Sequence, residues 1–109
     1  MNSQSISLFV SCYNEAPSIA QTLKKLNFAC TELKIKSEFI IVDDCSTDES
    51  IKLIKKFISQ HKSIRVKLIS NKKNMGPAYS LRKALESANH EYFRWICGDD
   101  PEPLFAGLS

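Results

Sequence analysis

An α/β fold, with a parallel sheet carrying helices on its faces, is predicted by three features of this sequence. Short apolar runs alternate with helically spaced apolar stripes in the order β-α-β-α-β-α-β, the pattern of parallel strands joined by crossover helices. No internal repeat and no low-complexity linker interrupts that order. The 109 residues, 43% of them apolar, suffice for one compact domain with an ordinary core, and 3 Gly and 4 Pro are too few for a disordered chain.

The elements follow in turn. Ile6 to Cys12 is an apolar run that ends at Tyr13-Asn14-Glu15, a buried strand and its loop. Pro17 suits a first helical turn, and Ile19, Leu23, Leu26, Cys30 and Leu33 then stripe one helix face. Glu38 to Val42 is a second strand, closed by Asp43-Asp44. Ser46-Thr47-Asp48-Glu49 matches a capping box for a helix marked by Ile51, Ile54, Phe57 and Ile58. Ile64, Val66 and Leu68 alternate with Arg65 and Lys67, and Ile69 follows, which predicts a third strand nearer the sheet edge. After a polar turn from Asn71 to Gly76, Ala78, Leu81, Leu85 and Ala88 stripe a third helix. Tyr92 to Cys97 is a fourth strand, broken by Gly98-Asp99-Asp100-Pro101.

Charge and cysteine usage exclude several classes. A net charge of +3, from 15 basic and 12 acidic residues, is too small to argue for nucleic acid. The cysteines at 12, 30, 45 and 97 form no C-x-x-C pair, and neither histidine stands at zinc-site spacing from them. Four reduced thiols in a cytoplasmic protein are the expectation. The N-terminus has no signal-peptide pattern, and no run of 18 apolar residues occurs.

In open α/β sheets ligands sit beyond the carboxyl ends of the strands. Polar residues collect there: Tyr13-Asn14-Glu15, Asp43-Asp44 and Asp99-Asp100. Acidic clusters at one sheet edge repel one another unless a cation or hydrogen-bond donors offset them. No G-x-G-x-x-G follows the first strand, and no G-x-x-x-x-G-K-[ST] loop occurs, so a phosphate would need a metal or a basic side chain. Tyr13 and Asp44 are the favoured ligand contacts. Asp43 divides between a structural role and contact, and Asp48 between helix N-terminal charge and contact. Trp95 reads as core, and Asp100 as a cap on the following turn. Lys52, Lys55, Lys56, Lys62, Arg65 and Lys67 read as a solvated face, with attraction to an anionic inner-membrane surface as the weaker alternative.

Four motifs then point to a family. Ser7 to Glu15 resembles the "V-S-V-I-I-P-x-Y-N-E" opening of family 2 glycosyltransferases of the GT-A type, and Phe39 to Asp48 their "I-I-V-D-D-x-S-x-D" segment. Asn74 to Ala78, with Arg82, is similar to "N-x-G-x-x-x-A-R-N", and Tyr92 to Asp100 to the strand that carries the D-x-D motif. The resemblance implies a three-layer sandwich with a mainly parallel sheet, of the nucleotide-diphospho-sugar transferase type. It implies that residues 1–109 are a single domain, the nucleotide-sugar-binding half of a truncated enzyme whose acceptor half and catalytic base lie beyond the chain end. Tyr13 would stack on the base with Ser11 and Cys12 beside it, Asp44 would accept from a ring nitrogen, and Arg82 would meet the nucleotide or its diphosphate. Glu15 joins the nucleotide-binding set. Asp99 would hold Mg²⁺ or Mn²⁺, alone of its triplet, because Cys97 and Gly98 occupy the other two positions. The implied activity is inverting sugar transfer from a UDP- or GDP-linked donor to a saccharide or lipid-linked acceptor hydroxyl, in cell-surface polysaccharide or glycolipid synthesis. The setting would be the cytoplasm, at the inner face of the membrane. A non-catalytic nucleotide-binding module is the second reading. A phosphate-receiving signalling domain is the third, set aside because its acid pair would follow the first strand.

Overall fold

The computed structural model describes residues 5–90 and 92–97. Strands β1 (Ser5–Cys12), β2 (Lys36–Asp43), β3 (Arg65–Ser70) and β4 (Tyr92–Cys97) alternate with helices α1 (Ile19–Glu32), α2 (Ser50–Gln60) and α3 (Pro77–Ser87). The four strands form one sheet in the order β3-β2-β1-β4, all parallel, with Leu8 opposite Phe39 and Phe9 opposite Trp95. From β1 to β3 the chain steps in one direction. From β3 it returns past β1 to β4. Right-handed crossovers therefore place α1 and α2 on one face and α3 on the other. The sheet order reverses between β4 and β2, around β1, and such a switch point opens a crevice at the strands' carboxyl ends.

Strand alternation divides the core between the two faces. Leu8, Val10, Phe39 and Ile41 meet Ile19, Leu23, Leu26, Ile54 and Phe57 beneath α1 and α2. Phe9, Ile40 and Val42 meet Ala84 beneath α3. The α1 stripe forms as the sequence predicts except at its end, where Leu33 is 45% exposed. The reason is a Schellman turn: Lys34 takes φ 54°, Lys34 N donates to Thr31 O, and Ile35 N donates to Cys30 O, which turns the chain before Leu33 can face the sheet.

The α3 stripe differs from the expectation. Ser80 and Ala84 are buried and Ala88 partly so, whereas Ala78 and Leu85 are exposed. The sheet below is already bulky with Phe9, Ile40 and Val42, so the helix approaches it through small residues one turn apart. The capping box also does not form. Helix α2 begins at Ser50 behind Glu49, and Ser46 instead donates its hydroxyl to Asp43. Trp95, read as core, is 43% exposed on β4. Lys67 is half-buried, whereas Lys52, Lys55, Lys56, Lys62 and Arg65 are exposed as expected.

Lys67 turns inward because a carboxylate is buried there. Glu38 is 1% exposed. It accepts from Ser7 Oγ at 2.7 Å, Asn89 N at 2.7 Å and Asn89 Nδ2 at 3.3 Å, with Lys67 Nζ at 3.5 Å. Lys67 also donates to Ser87 O, and His90 N to Ser7 Oγ. This network ties the segment after α3 to β1, β2 and β3. Burial pushes the Glu38 carboxyl up, but the donors from Asn89, Ser7 and Lys67 outweigh it and hold the group below its ordinary value of 4.5. The stabilisation from Glu38 is therefore full above pH 4.5 and is lost as pH falls through the lower folded value. Glu38→Gln turns an amide NH₂ toward donors and should cost about 1–3 kcal/mol at neutral pH. Urea titrations should show that cost shrinking below pH 4.5, as first the unfolded chain and then the folded wild type takes up the proton; a pH-independent difference would refute the account.

Candidate functional site

The carboxyl ends of β1, β2 and β3 are tied together before any ligand is considered. Hydrogen bonding continues past the strands, with Asp44 N donating to Cys12 O and Asn71 N to Asp43 O, each at 2.9 Å. Asn14, at φ 52°, lays its Oδ1 2.8 Å from Thr47 N and 3.3 Å from Asp48 N, while its own N–H reaches Ser46 Oγ at 2.9 Å. Glu15 N donates to Ser50 Oγ, and Ala16 N to Asp48 Oδ2 at 3.1 Å. Asp48 Oδ1 also accepts from Ser50 N at 2.9 Å, so this residue joins the start of α2 to the loop after β1. The Ser50 hydroxyl, then the backbone donors, hold the Asp48 carboxyl below its ordinary value.

The adjacent acids of β2 point to opposite sides, as strand periodicity requires. Asp43 is fully buried and accepts from Ser46 N at 2.9 Å and from the Ser46 hydroxyl. Of its two predicted roles, the bonds it makes are those of a loop brace. Asp44 faces the α3 side. Its Oδ1 accepts from Met75 N at 2.7 Å and Asn71 Nδ2 at 3.0 Å, and its Oδ2 from Gly76 N at 3.0 Å. Burial raises the Asp44 carboxyl, but the Met75, Asn71 and Gly76 donors outweigh it and hold it below its ordinary value of 3.8. Oδ2 retains acceptor capacity beyond its bond to Gly76. Gly76 stands at φ 88°, a left-handed conformation that delivers its N–H to Asp44 and starts α3 at Pro77.

Between these loops and the start of α3 opens a cavity of about 420 Å³, within the usual range for small-ligand sites. Ser11, Tyr13, Glu15 and Asp44 all line it, so four of the predicted contacts meet in one place. Cys12, Val42, Asn74, Gly76, Pro77 and Ser80 complete the wall. Tyr13 is 45% exposed and leaves ring surface available to a planar ligand. Arg82 is not part of this lining. It lies on the exposed side of α3, its guanidinium 5.9 Å from the Tyr79 ring centroid. Ser80 was missed by the sequence reading because it resembles any polar helix residue; only its bond from Asn71 Nδ2, at 3.2 Å, places it at the wall. Burial, first of all, pushes the Cys12 thiol up to about 12, which disfavours its thiolate form.

Asp99 and Asp100 lie outside the described residues, as does the side chain of Cys97. Among the described residues no group of three or more His, Cys, Asp or Glu comes together as a metal site. Asp43, Asp44 and Asp48 each accept from backbone or side-chain donors of separate loops, and the three do not converge on one point as a cation site would require. Among the described residues no helix is long and apolar enough to cross a membrane, and Cys12, Cys30 and Cys45 are free thiols.

The geometry is that of a doubly wound α/β domain with a cavity at the carboxyl ends of its strands. Comparison with known proteins narrows this: residues 7–101 match the model of glycosyl transferase family 2, and the chain belongs to that family. An uncharacterized glycosyltransferase of Haemophilus influenzae is 34% identical over 101 residues, 92% of this chain and 38% of that protein. Undecaprenyl-phosphate 4-deoxy-4-formamido-L-arabinose transferase of Pseudomonas fluorescens is 33% identical over 92% of this chain and 29% of its own length. Among solved structures, a Pyrobaculum calidifontis mannosyltransferase in complex with GDP-Man and Mn²⁺ superposes with TM-score 0.83 at 23% identity, covering 99% of this chain and 31% of that one. TarS of S. aureus, in complex with UDP-GlcNAc, gives 0.72 at 28% identity, with 88% and 27% covered. The fold is thus the GT-A fold, and the chain spans well under half the length of these relatives.

Asp44→Asn should remove the carboxylate that gathers Met75 N and Gly76 N and cost about 1–3 kcal/mol. A urea midpoint equal to that of wild type, with an unchanged slope, would show that Asp44 does not hold the loop from Asn71 to Gly76.

Proposed function

We propose that this chain is the donor half of a glycosyltransferase that moves a sugar from a nucleoside diphosphate to an acceptor hydroxyl with inversion. The observation that carries this reading is the cavity itself, which joins an exposed Tyr13 ring and an ionised Asp44 acceptor at the switch point. The ring suits a nucleobase face, and the free acceptor capacity of Asp44 suits a base N–H. Neighbours in complex with UDP-GlcNAc or GDP-Man, and relatives that are poly-beta-1,6-N-acetyl-D-glucosamine synthases, support a nucleotide-sugar donor and a role in surface polysaccharide synthesis. The solved neighbours that carry Mn²⁺ support a divalent cation, for which Asp99 is the carboxylate we put forward. Arg82 would need to cross from Tyr79 to the cavity rim to meet the nucleotide, a rotamer change for an exposed side chain.

Calorimetry with UDP and GDP, with and without Mn²⁺, tests the donor site. Binding should strengthen with Mn²⁺, and Asp44→Ala should weaken it by about tenfold or more, the loss of a charge-assisted hydrogen bond. Equal affinity in the two proteins sinks the assignment.

A second reading, nucleotide binding without catalysis by this chain alone, is favoured by the engagement of Asp43, Asp44 and Asp48 with backbone donors. Each of these three already serves as a loop anchor, and an acceptor hydroxyl near neutral pH needs a separately positioned general base, typically worth about 10²–10⁴-fold in rate. Incubation of the purified 109-residue chain with UDP- and GDP-sugars, Mn²⁺ and a lipid-linked acceptor extract should yield no glycosylated product. Product that disappears in Asp99→Asn would establish the chain as a complete catalyst.

A further inference from the structure

One side-chain bond crosses the switch point. Ser11 lies near the end of β1 and lines the cavity; Trp95 stands on the neighbouring β4. Trp95 is in register with Phe9, so its indole shares a sheet face with Phe9 and Ser11, two residues apart on β1. The indole stacks on the Phe9 ring at a centroid distance of 5.5 Å and an interplanar angle of 21°. Its Nε1–H donates to Ser11 Oγ at 2.9 Å.

The chemistry of that bond is one-sided. An indole N–H can only donate, so it occupies one lone pair of the Ser11 oxygen and leaves the hydroxyl proton to be given elsewhere. Among the described residues Ser11 Oγ makes no other hydrogen bond. An unheld serine hydroxyl on a cavity wall would turn among its staggered rotamers. The stacked indole restricts it, and accepting one bond strengthens the bond the hydroxyl donates. Burial does not account for this tryptophan, which stays 43% exposed and sends its polar atom to the cavity wall instead of to a backbone group.

We propose that Trp95 is a positioning residue: acting from β4, it fixes the Ser11 hydroxyl as a donor to an oxygen of the bound nucleoside, a base carbonyl or a ribose oxygen. The inference rests on the nucleotide reading of the cavity and adds a specificity element to it. An acceptor oxygen opposite Ser11 is accepted, whereas a donor group there meets competition from the hydroxyl proton.

Because the chain has a single tryptophan, its indole N–H gives one resolvable resonance in a proton–nitrogen correlation spectrum. UDP with Mn²⁺ is titrated into wild type, Trp95→Phe, Ser11→Ala and the double variant, with affinity read by calorimetry and fold by thermal melting. Each single substitution should weaken UDP about fivefold, the worth of one neutral hydrogen bond. The double variant should be no weaker than Ser11→Ala, because the tryptophan acts only through the serine. The indole resonance should move on saturation in wild type and move far less in Ser11→Ala. Ser11→Ala leaves the stack on Phe9 intact and carries the test by itself if Trp95→Phe unfolds. UDP affinity unchanged in the folded single variants, losses that add in the double variant, or an unmoved resonance at saturation would each overturn the proposal. If neither UDP nor GDP binds wild type, the nucleotide reading falls and this inference falls with it.

Discussion

Two adjacent carboxylates at the end of β2 set the architecture of the whole site. Consecutive strand residues face opposite sides of the sheet, so Asp43 and Asp44 act on different loops although they are neighbours in sequence. Asp43 turns toward the α1 and α2 side and closes the turn through Ser46. Asp44 turns toward α3 and draws in Met75 N and Gly76 N. Each anion is matched by donors, which removes the repulsion that two acids side by side would otherwise suffer. The same bonds fix the rim of the cavity, so the charges that stabilise the fold also shape the place where a ligand would sit.

The opposite end of the sheet solves a similar problem by other means. Glu38 is buried, and its donors come from Ser7 on β1, Lys67 on β3 and Asn89 in the loop after α3. Breaking one member of such a network leaves a buried charge unmatched, which costs more than any single bond contributes. Helix α3 is thus held at both ends, by Asp44 near its start and by the Glu38 network after its end, while its middle approaches the sheet through Ser80 and Ala84. That spacing leaves the cavity open above Val42.

Coverage of the two sheet faces is unequal, and the difference has a topological origin. Two crossovers run one way and one runs back, so α1 and α2 share a face while α3 alone covers the other. Phe93 and Trp95 at the β4 edge of that second face remain partly or largely exposed. In such a place an aromatic side chain contributes less by burial and more by its polar atom, which is how Trp95 comes to bond with Ser11.

Sequence by itself determined the order of elements, the parallel sheet, the family and four of the ten residues that line the cavity. Apolar runs and stripes have fixed periods, and polar residues at strand ends have nowhere to go but the sheet's carboxyl edge. That is how Tyr13 and Asp44 stand out as ligand contacts from pattern alone, while Ser11 and Glu15 join them through the resemblance to the family. What the tertiary structure alone decided were choices between near-equivalent positions. Which face of α3 meets the sheet depended on the bulk of Phe9, Ile40 and Val42 opposite it, not on the helix's own apolar spacing. Whether Lys67 was solvent-facing depended on a glutamate on the neighbouring strand. Ser46 went to Asp43 instead of capping α2, and Arg82 went to Tyr79 instead of the cavity, because partners distant in sequence or one turn away offered bonds that local pattern does not encode. Periodicity is a property of the chain; the partner across the gap exists only once the chain has folded.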